Sequence, residues 1–169
     1  MKAPLDSERR GLAGVSRFRI ESPLIDYTLR CLREAGQRKL EAFVLWGGQF
    51  EGDPSAFRFN SAMFPEQTSV DTEDGLMVTI SGHALHLANE FFYNRAEIMA
   101  GQVHSHPTDA FHSSLDDLLP CITILGGLSV VVPDFGANGW EDITNWAWFR
   151  LRGYRAWEPL SEGTRVEVF

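Results

Sequence analysis

His104-Ser105-His106, then seven residues, then Ser114-Leu115-Asp116-Asp117, is the stretch on which the reading of this chain turns. Side chains alternate along a strand, so histidines two positions apart point to one face and both imidazoles reach one ion. Pro107 ends the strand. A short helix over 114–119, capped by Ser113 or Ser114, carries Asp117, a carboxylate eleven positions after His106 that can fold back as a third ligand. Three protein ligands leave one tetrahedral position open. That is the pattern of a catalytic zinc site, in which a bound water falls in pKa from about 15.7 to about 7. The general base for that water has to come from elsewhere in the chain.

Composition sets the limits. The chain has 169 residues, 44% of them hydrophobic, enough for one domain with a substantial core. Fifteen basic against 23 acidic residues give a net charge of −8, the opposite of what a nucleic-acid surface needs. Cys31 and Cys121 are the two cysteines, so no disulfide framework is expected, and no apolar run approaches the roughly 20 residues of a membrane span. With no signal-peptide pattern either, the expected compartment is the reducing cytoplasm. Residues 1–14 have little apolar periodicity and are expected to be flexible, leaving 15–169 as a single domain.

The remaining elements follow from periodicity. A first strand is expected over 15–20. Ser22-Pro23 reads as an N-cap and first helical residue, with Leu24, Ile25, Tyr27, Leu29 and Leu32 as the apolar face and Gly36 as the stop. The run 40–48 is too uniformly apolar to have a solvated face, apart from Glu41 at its start, which by itself reads equally as a solvated edge carboxylate. A loop over 49–55 leads to a strand near 57–64. Residues 66–74 are polar, and 76–80 is a short strand or the lead-in to a helix. That helix runs to Arg95 from a cap at Ser81 or Thr79 and buries Leu85, Leu87, Ala88, Phe91 and Phe92. His83, His86 and Glu90 lie on adjacent turns of it and read as a solvated face, with metal binding the less favoured alternative. Strands are expected over 98–104, 128–132, 146–151 and 165–168, with a loop over 133–142. Pro120-Cys121 resembles the start of a deaminase zinc motif, but Ile124 stands where a second cysteine is needed, so Cys121 reads as a small buried residue.

Strands and helices in this order predict a three-layer α/β domain with a mixed, curved β-sheet flanked by helices and the site at one sheet end. His-x-His, seven residues, Ser, two residues, Asp matches the JAMM (JAB/MPN) zinc metalloprotease motif at every specified position, through His104, His106, Ser114 and Asp117. The chain resembles the compact bacterial members of that family, which are associated with ubiquitin-like conjugation systems. Its Val131-Val132-Pro133-Asp134-Phe135-Gly136 stretch is similar to theirs, and the likeness covers roughly 15–169. The family's upstream glutamate has glycines three and seven positions later; here Glu41 is followed by Val44 and Gly48. The resemblance implies a JAB/MPN (deaminase-like) fold and one Zn²⁺ per chain, held by His104, His106 and Asp117. It implies Glu41 as general base and Ser114 as donor to the developing oxyanion. It also implies cleavage after the C-terminus of a ubiquitin-like protein, in conjugates or precursors, with activating and conjugating enzymes of the same system as further partners.

Three other readings compete with this one. A His-x-His amidohydrolase barrel needs about 250 residues. A structural zinc closes with a fourth protein ligand, often cysteine, and none stands near. A non-catalytic JAB/MPN scaffold, binding a ubiquitin-like or conjugation-enzyme partner, keeps the fold but loses ligands, whereas this chain keeps them all.

Overall fold

The computed structural model describes residues 11–111, 113 and 121–169. Among these the order is β1 (Arg17–Ile20), α1 (Ser22–Gly36), β2 (Phe43–Phe50), β3 (Ala56–Met63), β4 (Thr68–Thr72), β5 (Gly75–Thr79), α2 (Gly82–Tyr93), β6 (Ile98–Ser105), β7 (Leu128–Val132), β8 (Ala147–Gly153), β9 (Ala156–Pro159) and β10 (Arg165–Val168). Short 3₁₀ turns at Asp134–Gly136 and Trp140–Asn145 join β7 to β8. Eight strands make one mixed sheet in the order β10-β1-β3-β2-β6-β7-β8-β9, and β4 and β5 form a separate hairpin. β1 runs parallel to β10 and β3, and β6 parallel to β7; the other neighbours are antiparallel.

Alternation along β2 sorts the core into two layers. Val44 and Trp46 face α1 and pack with Leu24, Ile25, Leu29 and Leu32. Phe43 and Leu45 face the other way, toward Ala88 and Phe92 of α2 and Val78 of β5. A helix therefore covers each face of the central strands. The buried indole N–H of Trp46 donates to Thr28 Oγ1 at 2.8 Å, and that hydroxyl donates to the Leu24 carbonyl at 2.9 Å, so no polar group is stranded in the contact. The register of β2 shifts against β3 between Gly47 and Gly48 and against β6 between Trp46 and Gly47. A Cβ on Gly47 would stand 2.1 Å from the Phe92 ring, and one on Gly48 would stand 1.9 Å from the Arg58 carbonyl oxygen.

The structure departs from the sequence reading where a tertiary partner replaces a local signal. Ser22 is the first residue of α1 rather than its cap: Glu21 takes that position, and the Ser22 N–H donates to the Phe169 carbonyl at 2.8 Å. Gly36 ends α1, but the left-handed residue that turns the chain away is Lys39 (φ 58°). On α2 the buried line is Ala84, Ala88 and Phe92, and Leu87 is 43% exposed, because the stripe is centred one position away from the expected one. The polar run 66–74 supplies β4, paired with β5 from Thr68↔Thr79 to Thr72↔Gly75, and the largely exposed β9 is a further strand that no apolar pattern announces. Leu12, in the segment expected to be flexible, is fully buried in the core, with its carbonyl accepting from Arg150 Nη2.

Candidate metal centre

β6 carries the site to the middle of the sheet. His104 is paired with Phe43 on one side and Val131 on the other. The strand ends at Ser105, so His106 lies one residue beyond it, and its N–H donates to the Val132 carbonyl at 2.9 Å. The two side chains share a face and are 0% and 4% exposed, with Nε2 to Nε2 at 3.2 Å. The Phe43 ring stacks on His104 (4.7 Å, 23°), and Phe111 meets His106 edge-on (4.6 Å, 69°). This apolar wall keeps water from the flanks of the pair.

That spacing fits a shared ion. Two imidazole nitrogens, each about 2.0–2.1 Å from one tetrahedral zinc, stand about 3.3–3.4 Å apart. Among the described residues no group of three or more His, Cys, Asp or Glu side chains is gathered to hold an ion. The other two motif residues, Asp117 and Ser114, lie outside the described residues, as does the helix expected over 114–119. The described residues on either side are fastened to the histidine face: Phe111 lies against His106, and the N–H groups of Cys121 and Ile122 both donate to Gln102 Oε1 at 3.1 Å.

Glu41 is half-buried just ahead of β2, which begins at Phe43 rather than at the expected position 40. Its neighbour Ala42 is tied to the residue between the histidines: Ser105 N–H donates to the Ala42 carbonyl at 3.3 Å, and Ala42 N–H to Ser105 Oγ at 3.4 Å. Continuing the Phe43↔His104 register sets Glu41 opposite His106 on the histidine face. Val44, at the position of the absent glycine, is fully buried against the α1 side, so a core side chain replaces the missing space.

Two residues near the site escaped the sequence reading. Phe43 shares a face with Glu41 by period two and could have been found that way. Gln67 carries no such signal: its amide accepts from Phe43 N–H at 2.7 Å and donates to the Phe43 carbonyl at 2.9 Å, taking the place of a strand neighbour next to the last β3 pair, Met63↔Leu45.

The remaining candidates lie elsewhere. His83, His86 and Glu90 are exposed on α2, with His86 Nε2 3.6 Å from Glu90 Oε1. Cys121 is buried, and burial pushes its thiol up to about 12, so it stays protonated and a poor nucleophile. Among the described residues no helix is long and apolar enough to cross a membrane.

No family model matches the chain. In fold it is similar to the solution structure of protein DSY2949 from Desulfitobacterium hafniense, with a TM-score of 0.62 at 14% identity over 90% of this chain and 92% of that one. In sequence it is 34% identical over 129 residues to the protein named "Probable metalloprotease y4jG" of Sinorhizobium fredii, covering 76% of this chain and 78% of its relative. With that identity over that span, and a buried histidine pair at a metal-ligand spacing, the chain belongs to the family of this metalloprotease.

Proposed function

We propose that the protein is a JAMM (JAB/MPN) zinc peptidase that works in the cytoplasm and cleaves after the C-terminus of a ubiquitin-like protein, in conjugates or in precursors. His104, His106 and Asp117 hold one Zn²⁺, Glu41 is the general base and Ser114 the oxyanion donor. The observation that carries this reading is the buried imidazole pair, Nε2 to Nε2 at 3.2 Å, on a strand whose neighbour sets Glu41 in register with it. Bound zinc supplies Lewis acidity and lowers the pKa of water to about 7. Glu41, held through Ala42 and Ser105, takes a proton from the attacking water and returns it to the leaving amine. Ser114 donates to the oxyanion, an interaction whose loss typically lowers the rate about 10²–10³-fold. Phe43 and Phe111 hold the imidazoles in place and exclude competing water.

A ubiquitin-like tail is extended, and an extended chain is most readily held by adding a strand to an exposed edge. The β4–β5 hairpin offers such an edge, since among the described residues its two strands pair with each other and with no further strand. Activating and conjugating enzymes of the same system are the further partners this reading implies. The test is Glu41→Gln, which keeps size and hydrogen bonding but accepts no proton. It is expected to retain zinc and to bind a ubiquitin-like fusion while cleavage falls about 10²–10⁴-fold. Near-normal cleavage would remove Glu41 from the mechanism.

A further inference from the structure

We infer that the turn Asp134-Phe135-Gly136 is a clamp that positions His106, with Phe135 and Gly36 as the positioning residues that hold it shut. This rests on reading His106 as a metal ligand. The three turn residues have φ of 52°, 51° and 73°, and two of them carry a Cβ that disfavours this left-handed conformation. Consecutive strained residues persist only where their surroundings over-determine them. Here the reversed backbone aims two successive N–H groups at the histidine loop: Asp134 donates to the Thr108 carbonyl and Phe135 to the His106 carbonyl, both at 2.9 Å. His106 N–H donates to the Val132 carbonyl at 2.9 Å, so the main chain of His106 is held on both sides although it lies outside β6. With the backbone fixed, only the two side-chain torsions remain to set the imbalance or match of its Nε2 with that of His104.

What holds the turn comes from the helix on the opposite face of the sheet. A Cβ built on Gly36 would lie 2.4 Å from Phe135 Cβ, so the absence of a side chain at 36 is what lets Phe135 seat. Arg33 Nε donates to the Gly136 carbonyl at 2.8 Å, and Gly136 sits against Leu29, where a Cβ would be 3.0 Å from Cδ2. The end of α1 thus reaches the His106 main chain through the turn. Loss of such a support to a metal ligand typically lowers affinity about 10–100-fold.

The experiment uses the full chain and four proteins: the natural sequence, Gly36→Ala, Phe135→Ala, and Val166→Ala at the far edge of the sheet as a control for lost stability. Zinc affinity is measured by competition with a chromophoric chelator, and in the zinc-free proteins amide exchange at Phe135 and the His106 ring resonances are followed by NMR. Gly36→Ala and Phe135→Ala are expected to bind zinc about 10–100-fold more weakly, to lose protection at the Phe135 amide and to move the His106 ring signals, while Val166→Ala changes none of these. If one of the pair does not fold, the other decides. Affinities within twofold of the natural protein, or a loss matched by Val166→Ala, would overturn the clamp. If the natural protein itself takes no zinc, the metal reading fails, and the clamp is judged on the zinc-free readouts: a Phe135 amide that exchanges freely in the natural protein overturns it, and protection lost in both variants sustains it.

Discussion

Gly48 and Val44 follow Glu41 at seven and three positions, and the structure gives each its own reason. Gly48 is fixed by the backbone of β3, because any Cβ would enter the Arg58 carbonyl, whereas Val44 fills the core beneath α1. Gly48→Ala is therefore expected to lower stability by about 2–3 kcal/mol, while Gly82→Ala, where a Cβ meets nothing within 4 Å, is expected to be neutral or to gain up to about 1 kcal/mol. Urea midpoints at constant m-value compare the two, and equal midpoints would contradict the packing described. Cys121 makes a second prediction. Its thiol titrates at about 12 in the fold against an ordinary 9.0, so between those values the unfolded chain releases the proton first and stability falls as pH rises. Below pH 9 the group has no pH effect. Between pH 9 and 11 the natural protein is expected to lose stability relative to Cys121→Ala, by at most about 1.4 kcal/mol per pH unit; parallel curves would show that the thiol is not buried as described. The sequence made the small buried character of Cys121 legible through the absent second cysteine, but Gly36 was legible only as a stop. Its spatial reason, Phe135, lies 99 positions away along the chain and leaves no local trace.

At the level of elements, periodicity located α1 and α2 because each carries an apolar stripe against one face of the sheet, and it located β7 because a strand covered on both faces reads as a near-continuous apolar run, whereas β6, with Gln102 and His104 in it, was marked by its His-x-His spacing. It missed β4 and β9, which are largely exposed and have no apolar pattern to announce them. The helix ends add a test of local chemistry. Ser81 caps α2 by accepting from Ala84 N–H at 3.0 Å, and Ala96 leaves the helix at φ 55° with its N–H on the Tyr93 carbonyl and that of Glu97 on the Phe92 carbonyl. Ser81→Ala is expected to lower stability by about 1 kcal/mol, and Ala96→Gly, which removes a Cβ from a left-handed residue, to raise it by about 1 kcal/mol. Thermal midpoints moving the other way would contradict these termini.

Across the whole molecule, the candidate site is a product of sheet order. β2 and β6 are antiparallel neighbours, so continuing their register brings residue 41, just ahead of one, level with residue 106, just past the end of the other, although they are 65 positions apart in the chain. The His-x-His spacing was legible because alternation along a strand is local. The placing of Glu41 at the site was not readable from spacing alone: it is implied by the family resemblance, and the paired register of β2 on β6 begins two residues later, at Phe43↔His104. The central claim is that His104 and His106 share one ion. The measurement that tests it most directly is zinc content per chain, by elemental analysis after purification in zinc-supplemented buffer and gel filtration, for the natural protein and for His104→Ala/His106→Ala. The account predicts about one zinc per chain in the first and none in the second, with the double variant still folded by circular dichroism. Full zinc occupancy in the double variant, or none in the natural protein, would contradict it.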